Sequence, residues 1–392
     1  MFCRLSLFLQ SENESCLVVN LGETSVKIDV VIPSVRPEEL DFLALLGIKV
    51  PRDMYLHFYI IIDSPGYAEF EAVIDDNRKM TVRTNPSNIG AAASRNRGLD
   101  LCDGDYVLFM DDDVVPENDL IIAYHNKITE NPDCSGFVGR TKFPEPVNIF
   151  TSGVLESNIL TFFDISATRK NLLWGTTSNL LLRRNVIGDF RFKTIFPKAG
   201  GGEDIDFCLN VLKEGKDYLV TVPEAVVWHG WWNGGRVSYR RFFRWAYGDS
   251  VLPELHPKFK YRNYPNMVEA MAIVIPLIVV ISYSTGISLT VIPLFLGMSF
   301  MTEFYWENVR AKSIRPGARA INAIGGAIIR VSNDLGRFAG NLKRLRINGL
   351  FERFDYFMTG ESISFERKVA RAKFLSLVIL ATALLLIFIL RF

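Results

Sequence analysis

Asp111-Asp112-Asp113 puts three carboxylates in a row directly after the apolar run Tyr106–Met110. Adjacent carboxylates repel and raise each other's pKa unless a cation neutralises them. A hard divalent ion that also grips phosphate oxygens is the natural partner, so the triplet points to a metal and nucleotide site. Taken alone, it is equally a solvated turn. A second candidate is Asn88-Ile-Gly90-Ala-Ala-Ala-Ser-Arg95-Asn96-Arg-Gly98. Gly90 and the alanines let the backbone approach a ligand or a neighbouring helix, and Arg95 offers a forked contact to phosphate or carboxylate. A small-residue helix packed on a sheet would use the same letters. The third candidate, Gly200-Gly-Gly-Glu203-Asp204-Ile-Asp206, sets carboxylates at a loop-to-helix junction, where the helix dipole also favours them. His229, after the strand-like Val226-Val-Trp, can complete a metal site with carboxylates or be an ordinary hydrogen-bonded histidine.

Such groups need a scaffold. Residues 28–34, 57–62, Met80–Thr84 and 106–110 read as buried strands, alternating with helical stretches at Glu38–Leu46, Ala91–Leu101 and Asp119–Thr129. Alternation of this kind predicts an α/β fold with a mostly parallel central sheet. Open sheets of that class bind ligands at the carboxyl ends of their strands, where Asp63 and the aspartate triplet fall. A strand at Ser178–Leu182 and a helix at Glu203–Glu214 follow.

The 392 residues carry a net charge of only +1, which gives no argument for nucleic acid as a partner. Hydrophobic residues reach 49%, and the excess gathers after Met267. Cys3, Cys16, Cys102, Cys134 and Cys208 form no CxxC pair and read as reduced thiols facing a cytosol. Met1–Gln10 lacks the length and cleavage pattern of a signal peptide. Met267–Met301 is apolar, longer than one pass needs and shorter than two, and reads as a hairpin or a re-entrant segment. Residues 302–373 are rich in Lys and Arg, and such loops stay cytosolic. Ala320–Leu345 mixes apolar and basic residues at helical spacing, for an interfacial helix or a solvated one. Phe374–Leu390 is a further run of spanning length. The expected organisation is therefore a catalytic domain over 1–265, a membrane segment over 266–301, a basic amphipathic segment over 302–372 and a final transmembrane helix over 373–392.

In combination, Val-Val-Ile-Pro33-Ser34, Asp63 at a strand end, Asn88-x-Gly90-(x)4-Arg95-Asn96-x-Gly98, Phe-Met-Asp111-Asp112-Asp113 and Gly-Gly-Glu203-Asp204-x-Asp206 resemble family 2 glycosyltransferases in order and spacing. The resemblance covers about residues 28–250 and implies the GT-A fold, a nucleotide-sugar donor with a UDP-sugar favoured, and inversion at the anomeric centre. It implies that Pro33, Ser34 and Asp63 face the nucleobase and ribose, with Asn88, Gly90, Arg95 and Asp112 beside the donor. Asp111 and Asp113 match the family's DxD. Asp113 is expected as the direct ligand of Mg2+ or Mn2+, Asp111 as a ribose contact or secondary ligand, and His229 as a further ligand. Asp204 matches the catalytic base, with Glu203 as acceptor binder and second choice, and Asp206 as a helix cap or acceptor contact. A base is needed because an inverting transfer removes the acceptor hydroxyl's proton on the face opposite the leaving diphosphate.

Arg241-x-x-Arg244-Trp245 resembles the (Q/R)xxRW motif of processive synthases, which implies contacts with donor pyrophosphate and acceptor; a membrane-facing basic helix is the other reading. Trp228, Trp231 and Trp232 are placed to stack on sugars, to sit at an interface or to pack a core. The expectation is a membrane-anchored, metal-dependent glycosyltransferase with its catalytic domain on the cytosolic face. Its acceptor is a membrane-proximal, lipid-linked or other glycan. A short processive polysaccharide synthase is the alternative. A sugar nucleotidyltransferase is disfavoured, because Pro33-Ser34-Val35-Arg36-Pro37 lacks the glycines of a phosphate loop. A scaffold without activity is disfavoured by the intact carboxylate set.

Overall fold

The computed structural model describes residues 25–286 and 288–389. Cys3, Cys16 and the amino-terminal segment lie outside them. The described chain forms two units. One holds the residues up to Pro144 together with Thr161–Trp231; the other holds Glu145–Leu160 and the chain from Trp232 onward.

The first unit is built on one ten-stranded sheet. Its strands are β1 (Val26–Ser34), β2 (Met54–Ile62), β3 (Phe70–Asp75), β4 (Arg78–Thr84), β5 (Tyr106–Met110), β6 (Val114–Pro116), β7 (Gly136–Lys142), β8 (Asn171–Leu172), β9 (Asn179–Arg183) and β10 (Leu219–His229). The order is β3-β4-β2-β1-β5-β9-β7-β10-β6, with β8 on β10. Strands β4, β2, β1 and β5 run parallel, as does β7 with β10. Strands β3, β6, β8 and β9 join antiparallel, so the sheet is mixed, and its amino-terminal half carries the expected parallel order.

The parallel half explains its own sequence. β1, β2 and β5 are buried on both faces, so they read as continuous apolar runs and not as alternating ones. The register aligns Ser34 with Ile62 and Ile62 with Thr84. The strand ends are therefore level, and Asp63, Asn85 and Asp111 all open onto one edge. β1 lies between β2 and β5, which makes that edge a topological switch point. Helix α1 (Ala91–Leu101) follows β4 and helix α2 (Leu120–Glu130) follows β6. The close seat of α1 on the sheet needs Gly98, since a Cβ there would collide with Val31.

The second unit is largely helical: α3 (Ile149–Glu156), α5 (Arg240–Asp249), α6 (Met267–Thr285), α7 (Val291–Ile314), α8 (Asn322–Lys343) and α9 (Ile363–Ile389), while α4 (Glu203–Val211) belongs to the first unit. A two-stranded ribbon pairs β11 (Lys260–Arg262) with β12 (Glu352–Phe354). Glycines let α8 pack closely. A Cβ on Gly153 would come within 2.7 Å of the Gly326 nitrogen, and one on Gly336 would overlap the Phe243 carbonyl. Residues 145–160 and α5 group with the second unit, and α7 runs through position 301. Gly153 and Gly326 meet although they lie more than a hundred residues apart in the chain, a contact that local periodicity does not announce.

Helices α6 and α9 are long and apolar enough to cross a membrane, the latter over Ile363–Ile387. The first half of α7 packs with them around Ile278, Val291, Phe295, Ala381 and Leu384. Part of the basic segment is internal rather than solvated. Buried Glu269 accepts from Arg337 and Arg353, buried Glu307 pairs with Arg330, and buried Glu303 pairs with Lys373.

Candidate active site

The edge built by β1, β2, β4 and β5 gathers the first unit's candidates. Ser34 ends β1, and its carbonyl accepts the Asp63 N–H at 2.6 Å. Its hydroxyl donates to Asp112 at 2.6 Å. Burial pushes the Asp112 carboxyl up to about 6, working against the Ser34 hydrogen bond, and the charges of Asp113 and Asp111 push the same way. The mutual repulsion read from the triplet is therefore present, though burial exceeds it. Pro33 is buried in β1.

Asp63 is buried, and both of its oxygens are engaged. Oδ1 accepts from Asn85 Nδ2 at 2.9 Å and from the Ile89 N–H at 2.8 Å, and Oδ2 accepts from the Gly90 N–H at 2.8 Å. These contacts hold the turn ahead of α1. Gly90 has φ +96° and caps α1, and a Cβ there would sit 2.9 Å from Lys198 Cα. Lys198 fastens the same turn twice: its carbonyl accepts from Ala91 N–H and its Nζ donates to the exposed Asn88 carbonyl, each at 2.8 Å.

Arg95 is buried, and its fork meets two protein carboxylates: Nη2 donates to Asp111 Oδ1 at 2.7 Å and Nη1 reaches Glu203 Oε1 at 3.5 Å. Burial would lower its pKa, but Asp111, Glu203 and Asp204 outweigh this and raise it above the ordinary value. Arg95 thus ties the aspartate triplet to the start of α4. Asp111 Oδ1 is engaged by Arg95.

Helix α4 begins after Gly200, Gly201 and Gly202, with φ of +87°, +136° and +91°. Three left-handed residues in sequence need glycine, so the motif is a sharp turn that aims the helix start at the sheet edge. Glu203 folds back to accept the Gly201 N–H at 2.6 Å. Asp204 is half-buried beside Arg95, and its Oδ1 accepts from the Ile205 N–H at 3.1 Å. Asp206 neither caps the helix nor faces outward. It is buried inside α4 and accepts from Lys193 at 2.8 Å.

Strand pairing delivers the histidine. His229 lies opposite Val114 in the β10–β6 ladder, which sets it next to Asp113. His229 Nε2 is 3.2 Å from Asp113 Oδ1, and Nδ1 is 2.6 Å from the Gly230 carbonyl. A carbonyl only accepts, so Nδ1 carries the proton and donates. Nε2 and the carboxylate are then two acceptors face to face, which requires a second proton or a cation between them. Burial lowers the His229 pKa, but the hydrogen bond and charge of Asp113 prevail and raise it. Phe143 stacks on the imidazole at a centroid distance of 4.9 Å, fixing the ring. Among the described residues, no three His, Cys, Asp or Glu side chains gather as a preformed metal cluster. Asp113 and His229 are the pair on this edge that would hold a cation.

Arg241, Arg244 and Trp245 lie on α5 in the second unit. The Arg241 guanidinium stacks 4.4 Å from the Trp232 ring centroid and 6.0 Å from that of Trp245. Trp232 is therefore a packing residue. Trp228 donates to Glu117 at 2.9 Å, and Trp231 packs on Phe143. Sequence reading passed over Asn85, whose place just after β4 was a usable signal. It also passed over Lys198 and Phe192, which no motif marks. Asn96 exchanges two 2.8 Å hydrogen bonds with the Phe192 backbone, and Phe192 stacks on Phe207 of α4 at 3.9 Å.

Residues 55–190 match the Glycosyl transferase family 2 profile. A cholesterol galactosyltransferase from Borreliella burgdorferi is 33% identical over 114 residues, which are 26% of this chain and 31% of that protein. The chain thus matches about a third of that relative's length. Among solved structures, S. aureus TarS in complex with UDP-GlcNAc gives a TM-score of 0.39 at 14% identity, over 59% of this chain and 71% of TarS. Mannosyltransferase PcManGT from Pyrobaculum calidifontis, in complex with GDP-Man and Mn2+, gives 0.39 at 14%, over 63% and 69%. The matched residues 55–190, about a third of the chain, are similar to family 2 glycosyltransferases and hold nearly all of β2, with β4, β5 and the aspartate triplet of the edge described above.

Proposed function

We propose that the protein transfers one sugar from a nucleoside-diphosphate donor, a UDP-sugar by preference, to a lipid-linked or other membrane-proximal glycan acceptor with inversion. The observation that carries this reading is Arg95 joining Asp111 to Glu203 next to Asp204, on the edge where Asp113 faces His229. In this reading Asp204 takes the proton of the acceptor hydroxyl. The freed oxygen attacks the anomeric carbon, and the bond to the diphosphate breaks on the opposite face. Glu203, fixed by Gly201 and Arg95, orients the acceptor. Asp113 and His229 would hold Mg2+ or Mn2+ together with diphosphate oxygens, and the ion would supply Lewis-acid charge to the leaving group. The Asn88–Gly90 turn, shaped by Asp63, lines the donor side.

The membrane part of this reading rests on α6 and α9, and its cytosolic face for the catalytic unit rests on the Lys and Arg content of residues 302–373. The name of the Borreliella relative joins a sugar to a membrane lipid, which accords with an acceptor at that surface. The purified enzyme is to be offered UDP-, GDP- and dTDP-sugars, with released nucleotide as the readout. Asp204→Asn is expected to lower turnover by roughly 10²–10⁴-fold while leaving donor affinity nearly unchanged. Near-normal turnover in that variant would remove Asp204 from the role of base. Excess EDTA is expected to abolish nucleotide release, with recovery on adding Mg2+ or Mn2+; undiminished activity would exclude the Asp113 and His229 assignment.

A further inference from the structure

Helix α8 ends at Lys343, and the chain turns through Ile347–Phe351 into β12. Leu342, Leu345, Ile347 and Phe351 in this stretch are 59%, 85%, 76% and 41% exposed. Single exposed apolar residues need no explanation, but four within one short turn form a patch that water penalises. The turn is also held in a costly shape, since Leu345 has φ +55° without being glycine.

It is not a loose excursion. Arg337 donates to the carbonyls of Gly349 at 3.3 Å and Glu352 at 2.8 Å, and its other nitrogen pairs with Glu269. Arg353 donates to Glu269 at 2.9 Å, to Leu350 O at 3.1 Å and to Tyr264 O at 2.9 Å. Glu269 lies in the first turn of α6, at the point where the chain passes into its apolar span. The patch is therefore pinned at the level where α6 becomes apolar, all within the second unit. Exposed Lys343, Arg262 and Arg367 flank it, and Arg367 donates to the Arg262 carbonyl at 2.8 Å. Apolar side chains at that depth with cations beside them match the boundary between anionic headgroups and acyl chains.

We propose that Leu342–Phe351 is a wedge that inserts into the headgroup boundary of an anionic leaflet beside the apolar helices. It rests on the membrane reading of α6 and α9 and adds a contact that hydropathy does not find. The test reconstitutes the full chain into phosphatidylcholine vesicles with and without phosphatidylglycerol. A diazirine photolabel dissolved in the acyl region is activated, and adducts are mapped by mass spectrometry. Adducts are expected on 342–351 as well as on α6 and α9, and more of them at Phe351 when phosphatidylglycerol is present. The double variant Leu345→Glu, Ile347→Glu is expected to lose the Phe351 adducts to background while those on α6 and α9 persist. Labelled α6 and α9 with a bare 342–351 segment would overturn the wedge alone. Absence of label on α6 and α9 would overturn both readings. Concentration-dependent crosslinks between copies through an unlabelled 342–351 would assign the patch to a second copy and also overturn it.

Discussion

At the scale of residues, the site is organised by one buried cation. Arg95 faces Asp111 and Glu203, and removing its charge strands the buried Glu203 carboxylate and leaves Asp111 without this partner. Arg95→Met is expected to destabilise the fold by about 3–5 kcal/mol, the range for breaking a buried pair by deleting one partner. The check is chemical denaturation beside the wild type; a change under about 1 kcal/mol, typical of surface ion pairs, would show that solvent already screens the site. The letters of the sequence identified every acidic side chain now found on this edge. They could not tell which carboxylate faces a cation from outside and which faces arginine. Asp111 and Asp113 are two residues apart and have opposite partners, because β5 ends just before one and β6 begins just after the other.

At the scale of elements, the parallel strands were legible because burial on both faces leaves an unbroken apolar run. The helix at Ala91–Leu101 and the strand at 106–110 were read to the residue. β3 was not, since its run is short, Glu71 interrupts its apolar residues and Asp75 ends them. The end of α4 was also misread, because Gly215 and the left-handed Lys213 and Glu214 stop the helix early. The seat of α8 was hidden for another reason: its glycines meet α3 and α5 only after folding. Gly336→Ala shows which force wins there. Alanine would add about 1 kcal/mol of helix propensity. Its Cβ would overlap the Phe243 carbonyl, and overpacking costs about 1–3 kcal/mol, more when backbone must yield. A lower melting temperature is expected, and a higher one would show that α5 can shift.

At the scale of the whole molecule, composition announced an apolar carboxyl-terminal half but not the pairing of its charges. Arg330, Arg337, Arg353 and Lys373 belong to the basic segment expected on the cytosolic side, and each answers a buried glutamate. Pairing of this kind lets charged residues lie at the mouth of an apolar helix bundle without a large desolvation cost. The protein is therefore expected to stay with the membrane pellet in high salt and alkaline carbonate and to be released by detergent. Release by salt alone would mean that α6 and α9 pack inside a soluble fold.

Lys198 grips the turn ahead of α1 by its carbonyl and by its ammonium, while its own segment runs on to Gly200. Neither turn can be displaced without dragging the other. An occupant arriving at one of them would alter the form presented at its neighbour, so the two substrates should add in a compulsory order, visible as intersecting initial-rate plots with one dead-end inhibitor pattern.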